Sequence, residues 1–193
     1  MMRIITGRAR GVRLTTLAGE HTRPTSERAK EAVFSVLQFD ILGKNVLDLF
    51  AGSGQLGLEA VSRGARTAVL CDASKAAVGV IRENAIKTKL LPDCEILGMD
   101  WEAALHNFQG RRRFGLVFLD PPYALGVLPK VLTRLLDDRL LEDGARIVCE
   151  SAAEEDVFFG NADLRDRFEI LRTARYGAAF VTILTPKGGE VEA

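Results

Sequence analysis

Histidine, cysteine and long apolar runs are scarce in this sequence of 193 residues. The histidines are His21 and His106, and the three cysteines are widely separated and form no Cys-x-x-Cys pair. Because zinc sites need such ligands at short spacing, we expect free thiols and no structural metal. No apolar run is long enough to predict a transmembrane helix, and the first residues are not typical of a secretory signal. We therefore expect a cytoplasmic protein without a membrane partner.

The sequence also lacks a net charge, since 26 basic and 26 acidic side chains cancel. Their distribution is uneven, however. Residues 1–19 contain four arginines and no acid, so this segment is +4, and the other 22 basic and 26 acidic groups leave the rest at −4. A local excess of positive charge matters more than the sum for binding a polyanion such as RNA. A solvated segment with incidental charge is the alternative, because exposed arginine is common.

The length suits one globular domain with a small extension, and 47% of the side chains are apolar. Residues 1–40 predict a β-hairpin and a helix, residues 41–186 the main domain, and residues 187–193 a loose tail. In the main domain, apolar runs alternate with helical segments, which is typical of an α/β fold with a mostly parallel sheet. The last two runs predict an antiparallel hairpin. Strands are expected at 3–6 and 12–16, and then at 46–50, 67–71, 94–99, 115–119, 145–149, 168–176 and 179–184.

The stretch Asn45–Gly57 predicts a buried strand, a glycine turn and the start of a helix. Gly52 and Gly54 let the backbone turn tightly and approach a ligand. The segment matches the dinucleotide fingerprint Gly-x-Gly-x-x-Gly, and Asp72 stands near the spacing of an acid that holds a ribose. Asp48, however, would put negative charge near a pyrophosphate and therefore fits a cationic ligand better. S-adenosylmethionine is such a ligand; a glycine loop that only packs a helix on a strand is the alternative.

The segment Asp120-Pro121-Pro122-Tyr123 follows the fourth strand predicted for the main domain. Two consecutive prolines remove two backbone N–H donors, so the chain presents carbonyl oxygens beside the Asp120 carboxylate. An exocyclic amine of a nucleobase has two N–H groups for such acceptors, and Tyr123 can stack on the same base. Asp120 and the Pro121 carbonyl would hold the nitrogen in line with a sulfonium methyl group. The pattern predicts methyl transfer to a base amine, with an ordinary strand-ending loop as the alternative.

The sequence resembles the bacterial methyltransferases that modify guanine N2 in small-subunit (16S) ribosomal RNA, within the class I S-adenosylmethionine-dependent fold. The glycine loop and Asp-Pro-Pro-Tyr occur in many amino methyltransferases, whereas the hairpin and the Arg-Pro-Thr-Ser segment are more particular to this family. Two positions depart from its pattern, because Gln55 replaces a small residue and Tyr123 replaces the phenylalanine of some members. The resemblance covers nearly the whole chain, at residues 3–7, 11–14, 23–28, 31–34, 48–54, 56–60, 62–65 and 120–123.

This resemblance implies a Rossmann-like sheet and S-adenosyl-L-methionine as the cofactor. It divides the cofactor site into three parts: a loop at the methionine end, an acid that holds the ribose hydroxyls, and an acid with an aromatic side chain beside adenine. The parts are, in that order, Asp48 with Phe50, Gly52, Ser53 and Gly54; Asp72; and Asp100 with Trp101.

The resemblance also implies ribosomal RNA, or an assembling small ribosomal subunit, as the partner of a bacterial enzyme. We expect it to act as a monomer and to contact RNA phosphates through basic side chains of the N-terminal segment. The expected contacts are Arg3, Arg8, Arg10, Arg13, Arg23 and Arg28.

Three other functions fit part of the sequence. An adenine-N6 methyltransferase acting on DNA or RNA would use the same Asp-Pro-Pro-Tyr segment, although a DNA enzyme usually carries a larger target-recognition insertion. An NAD(P)-binding oxidoreductase would explain the glycine loop alone. A non-catalytic RNA-binding module would explain the arginines alone and would not bind S-adenosylmethionine.

Overall fold

The computed structural model describes residues 2–17 and 24–188, and the side chains of residues 24–26 are outside the description. Arg23 and the predicted tail beyond residue 188 therefore lie outside the described residues. The helices are α1 (Pro24–Val36), α2 (Gln55–Ser62), α3 (Lys75–Lys87), α4 (Trp101–Phe108), α5 (Leu128–Asp137) and α6 (Ala162–Asp166). The strands are β1 (Asn45–Asp48), β2 (Thr67–Asp72), β3 (Cys94–Gly98), β4 (Phe114–Leu119), β5 (Leu141–Ser151), β6 (Phe168–Tyr176) and β7 (Ala179–Pro186).

The strands form one seven-stranded sheet in the order β3-β2-β1-β4-β5-β7-β6. The first five strands in this order are mutually parallel, whereas β7 is antiparallel to both β5 and β6. The predicted α/β fold with an antiparallel C-terminal hairpin is confirmed. The strand order reverses between β1 and β4, and open α/β sheets bind ligands beside the carboxyl ends of the strands at such a point.

Each face of the sheet has its own apolar core. Successive side chains of a strand point to opposite faces, so Leu47 packs with residues of α4 and α5, while Val46 packs with residues of α1, α2 and α3. All six residues of β4 are buried. Burial on both faces explains why the central strands appear in the sequence as continuous apolar runs.

The N-terminal hairpin adds its apolar side chains to the core on the α1, α2 and α3 face. The Ile4 N–H donates to the Val12 carbonyl at 3.0 Å. The two predicted strands are reduced to an isolated antiparallel bridge between Arg3 and Arg13. The hairpin, predicted as a separate extension, therefore shares an apolar core with the main domain.

Glu59 in α2 is the main anchor of the hairpin. Its fully buried carboxylate accepts hydrogen bonds from the backbone N–H groups of Ile5 at 2.7 Å and Thr6 at 3.0 Å. The Arg63 guanidinium donates to the same carboxylate at 2.7 Å, and the Lys30 ammonium lies 3.8 Å from it. Such a buried charge is tolerable only when it is paired and hydrogen-bonded, and here both conditions hold.

The tip of the hairpin rests on the C-terminal end of α2. The Arg8 N–H donates to the Ser62 carbonyl at 2.9 Å, and the Ala9 N–H donates to the Ser62 hydroxyl at 3.0 Å. A Cβ atom at Gly7 would come within 1.8 Å of the Ser62 carbonyl oxygen, so glycine is required by this close approach.

Several predicted boundaries differ from the structure; the fifth strand of the main domain, for example, is predicted at 145–149, whereas β5 extends from Leu141 to Ser151. The run 46–50 predicts a longer first strand, but β1 ends at Asp48 because the chain then bends into the turn at Gly52, whose φ is +54°. Asp48 therefore stands at the carboxyl end of its strand like the other candidate acids. Helix α1 already includes Pro24, although threonine and serine, the residue types at positions 25 and 26, are typical N-caps. Proline is favoured in the first turn, where its missing N–H is not needed.

Candidate active site

A pocket of about 750 Å³ opens at the carboxyl ends of the central strands. The chain positions that meet there are far apart in sequence: the loop after β1, the end of β2, the start of α4 and the loop after β4. Of the predicted cofactor and catalytic residues, all except Gly54 line the pocket. The lining residues from the prediction are Asp48, Phe50, Gly52, Ser53, Asp72, Asp100, Trp101, Asp120, Pro121, Pro122 and Tyr123.

Gly54 shapes the loop from behind instead of lining it. Its φ of +79° is in the left-handed region, and its N–H donates to the Ala51 carbonyl at 2.6 Å. A Cβ atom at this position would lie 3.3 Å from Ile81. Glycine is therefore required at position 54 by the conformation of the turn and by the packing of α3. Gly52, in contrast, lines the pocket.

Asp48 is a buried acid in the pocket wall, with a residue exposure of 1%. Its Oδ2 accepts a hydrogen bond from the Gly57 N–H at 2.9 Å, whereas its buried Oδ1 has no hydrogen-bond partner in the part of the chain that the structure describes. Burial raises the pKa of Asp48 to about 7, against the effect of the Gly57 N–H, and the charge of Asp72 raises it further. A cation in the pocket would favour the ionised form.

Asp72 and Asp100 are oriented by backbone hydrogen bonds. Asp72 accepts from the Gly52 N–H at 2.9 Å and from the Ser74 N–H at 2.8 Å, one on each oxygen. Asp100 caps α4 by accepting from the Ala103 N–H at 2.8 Å. Because each carboxylate oxygen has two lone pairs, both Asp72 oxygens can still accept a donor from a ligand such as a ribose hydroxyl.

The Asp-Pro-Pro-Tyr segment begins directly after β4, in the middle of the sheet. Asp120 is half-buried, Pro121 is buried, and Tyr123 is exposed by 44%. The Tyr123 hydroxyl donates to Glu150 Oε1 at 2.7 Å, which holds the aromatic ring at the pocket rim. Burial raises the pKa of Glu150, and the hydrogen bond from Tyr123 opposes this shift.

Several lining residues were missed from the sequence. Met2 and Leu17, at the two ends of the hairpin, line the pocket. The buried Asn84 side chain ties the hairpin to the glycine loop, because its Nδ2 donates to the carbonyls of Thr15 and Ser53, both at 2.9 Å. No sequence spacing indicates this contact, since an asparagine inside a helix ordinarily faces solvent.

The predicted RNA-binding arginines do not line this pocket where the structure describes them. Arg3, Arg8, Arg10, Arg13 and Arg28 are exposed, and Arg23 is outside the described residues. Arg8 forms an ion pair with Asp93. The hairpin tip lies at the opposite end of α2 from the glycine loop, and eight helical residues at about 1.5 Å each make that distance about 12 Å.

Neither a metal cluster nor a membrane-spanning helix occurs in the described part of the chain. Among these residues no group of three or more histidine, cysteine, aspartate or glutamate side chains could hold a metal ion. No helix among residues 2–17 and 24–188 is long and apolar enough to cross a membrane.

Comparison with known proteins places the chain in a family. Residues 2–185 match the family described as "Conserved hypothetical protein 95". The chain belongs to this family. The YlbH protein of Bacillus subtilis is 35% identical over 188 residues, which cover 97% of this chain and 100% of that protein. Ribosomal RNA small subunit methyltransferase D of Haemophilus influenzae is 32% identical over 155 residues, or 80% of each chain.

A solved structure of another protein has the same fold. The Escherichia coli protein yhhF superimposes with a TM-score of 0.82 at 30% identity, covering 97% of this chain and 98% of that one. The resemblance indicated by the sequence motifs is therefore confirmed at the level of family and fold.

Proposed function

We propose that the protein is an S-adenosylmethionine-dependent methyltransferase that modifies the N2 amine of a guanine in small-subunit ribosomal RNA. The observation that carries this proposal is that the Asp120–Tyr123 segment lines the same pocket as Asp48, Asp72 and Asp100. A relative named ribosomal RNA small subunit methyltransferase D supports the RNA class. The residues proposed to bind the cofactor and those proposed to bind the base amine thus line one pocket.

The donor and acceptor groups of the pocket fit S-adenosylmethionine. The Oδ1 of Asp48, which has no hydrogen-bond partner among the described residues, suits the cationic methionine end. The two oriented oxygens of Asp72 suit the pair of ribose hydroxyls. Trp101 supplies an aromatic face for adenine, and Asp100 can accept from its amine. When bound, the cofactor supplies an electrophilic methyl group.

The residues after β4 act on the base amine. Asp120 and the Pro121 carbonyl accept its two N–H groups, which orients the nitrogen lone pair towards the methyl group and favours its rehybridisation. The nitrogen becomes acidic as the new bond forms, so Asp120, or water beyond it, accepts the proton. Tyr123 stacks on the base, with its hydroxyl fixed by Glu150.

The RNA contacts are assigned to the exposed arginines Arg3, Arg8, Arg10, Arg13 and Arg28, together with Arg23. Turning a base out of a paired or stacked RNA costs a few kcal/mol, which contacts to phosphates elsewhere must offset. We further propose that the active form is a monomer in the cytoplasm, and light scattering of the protein alone and with RNA tests the first point.

The test is methyl transfer from labelled S-adenosylmethionine to ribosomal RNA and to small subunits from cells that lack the protein. Digestion to nucleosides should give N2-methylguanosine, and sequencing should map a single position. N6-methyladenosine would instead establish the adenine alternative. Calorimetric binding of NAD(P) but not S-adenosylmethionine would support an oxidoreductase, and RNA binding without cofactor binding would support a non-catalytic module.

A further inference from the structure

A second cavity of about 100 Å³ adjoins the large pocket and contains polar groups that the reaction above does not use. It lies between α1 and the carboxyl ends of β4 and β5, and it shares Gln55, Leu56 and Asp120 with the large pocket. The two remaining ionisable groups in its wall are Lys30 and Glu150. Apolar side chains form the rest of the wall: Ala29, Val33, Leu119, Val148 and Val181.

Both ionisable groups are held in place by the protein. The Lys30 side chain is 2% exposed, and its Nζ donates to the Arg3 carbonyl at 2.7 Å. Glu150 lies near the end of β5, where its Oε1 accepts the hydrogen bond from Tyr123. Tyr123, whose ring is proposed to stack on the target base, therefore also holds the Glu150 carboxylate in place through its hydroxyl group. A small, mostly apolar cavity with a few fixed polar groups is the kind of site that reads the edge of a ligand.

The polar groups of this wall complement one edge of guanine. That edge presents the N2 amine and the N1–H as neighbouring donors, followed by the O6 acceptor. Asp120 already takes the amine, Glu150 is an acceptor for N1–H, and the amide of Gln55 can donate to O6. On adenine the atom beside the amine is the N1 acceptor, which would meet the carboxylate of Glu150 without a proton between them.

We propose that Glu150 selects guanine over adenine by accepting a hydrogen bond from guanine N1–H in the cavity between α1 and the ends of β4 and β5. The inference rests on the proposed methyl transfer to a base amine and adds a residue that reads the base. A site built to hydrogen-bond a substrate group strongly rejects an analogue that lacks the group, because its own polar atoms are then left unpaired.

The test replaces the mapped guanine with 2-aminopurine in a synthetic substrate RNA. This analogue keeps the N2 amine but has an acceptor at N1 and no O6. Wild-type enzyme should methylate guanine at least about tenfold faster. Glu150→Gln, whose amide can donate to N1, should slow the guanine reaction and raise the ratio of 2-aminopurine to guanine turnover at least about tenfold. Glu154→Gln, an exposed acid outside both cavities, is the matched control and should leave the ratio unchanged.

Two further measurements make the result decisive. Calorimetry with S-adenosylmethionine and circular dichroism check that Glu150→Gln is folded, and Glu150→Asp, which keeps a carboxylate, should retain the guanine preference at a lower rate. If Glu150→Gln has the same ratio of 2-aminopurine to guanine turnover as the wild-type enzyme, the proposed role of Glu150 is wrong, while the proposed function is unaffected. A wild-type enzyme that methylates adenine and no guanine would overturn both.

Discussion

Replacing Asp48 with asparagine tests the electrostatics at the centre of the site. The carboxyl is buried, one oxygen is hydrogen-bonded to Gly57, and the other has no partner among the described residues. Asparagine has the same shape and can keep the bond from Gly57, but it has no charge to bury. At high pH the variant should therefore gain stability relative to wild type but bind S-adenosylmethionine more weakly.

The magnitude follows from the pKa of Asp48, which burial raises from 3.8 to about 7. For an acid whose pKa is higher in the folded state, folding becomes less favourable as pH rises from the unfolded to the folded value. Well below pH 3.8 the carboxyl is neutral in both states and contributes nothing; well above pH 7 its full penalty is present. This shift corresponds to about 4 kcal/mol, an upper figure for the pH-dependent part.

Urea unfolding of both proteins without cofactor, at intervals from pH 4 to pH 8.5, measures this part directly. The stability of Asp48→Asn relative to wild type should increase with pH by up to about 4 kcal/mol. A buried amide without a partner adds a penalty of about 1–3 kcal/mol, but that penalty does not depend on pH. Leu47→Val is an apolar change in the same strand and serves as the control. Its stability relative to wild type should be the same at every pH.

Cofactor binding gives the second half of the prediction. At pH 8.5 Asp48→Asn should bind S-adenosylmethionine more weakly by about 1.5–3 kcal/mol, because the variant cannot form a hydrogen bond through a charged group. Parallel stability curves for the variant and the wild type from pH 4 to pH 8.5 would refute the burial argument. Unchanged affinity would instead remove Asp48 from the cofactor site.

The other predictions concern the remaining parts of the site. Asp72→Ala should weaken S-adenosylmethionine binding by about 1.5–3 kcal/mol in calorimetry, and an unchanged affinity would contradict its assignment to the ribose. Asp120→Ala should keep cofactor affinity within a few-fold while lowering turnover at least about a hundredfold; loss of cofactor binding would mean that the residue is misplaced. Arg8→Ala/Arg10→Ala should reduce RNA affinity and lower the magnitude of the salt slope by about 0.7–0.9 for each phosphate that the variant no longer neutralises, with cofactor affinity unchanged. Its stability should change by no more than about 1 kcal/mol, because the ion pair of Arg8 with Asp93 is at the surface.

Most of the sheet could be predicted because its physical signals are local. Central parallel strands need apolar side chains on both faces, and the turns between them contain glycine or proline, so β2 and β4 are visible as short bounded runs. The helix α2 follows the glycine turn, as the sequence predicts, and extends from Gln55 to Ser62. The sequence also predicts that the candidate acids lie close together, because parallel strands end at one edge of a sheet.

The contacts that could not be predicted join distant residues by side-chain hydrogen bonds. Glu59 has the spacing of an ordinary helix-surface acid, and only the docked hairpin makes it a buried acceptor for two backbone N–H groups. Glu150 meets Tyr123 although 27 positions separate them, because β5 lies beside β4 in the sheet. Sequence periodicity does not predict such pairs. The cavity between α1 and the ends of β4 and β5, with its polar side chains, could therefore be found only from the structure.

The position of the docked hairpin suggests that RNA phosphates and RNA bases are contacted by different parts of the protein. Its tip, with Arg8 and Arg10, lies about 12 Å along α2 from the glycine loop. A phosphate bound at the tip is therefore remote from the glycine loop and from the pocket that this loop lines. Such contacts position an RNA without reading its bases. Substitutions at the tip should therefore weaken all RNA substrates alike, whereas discrimination between bases should change only with residues of the two adjoining cavities.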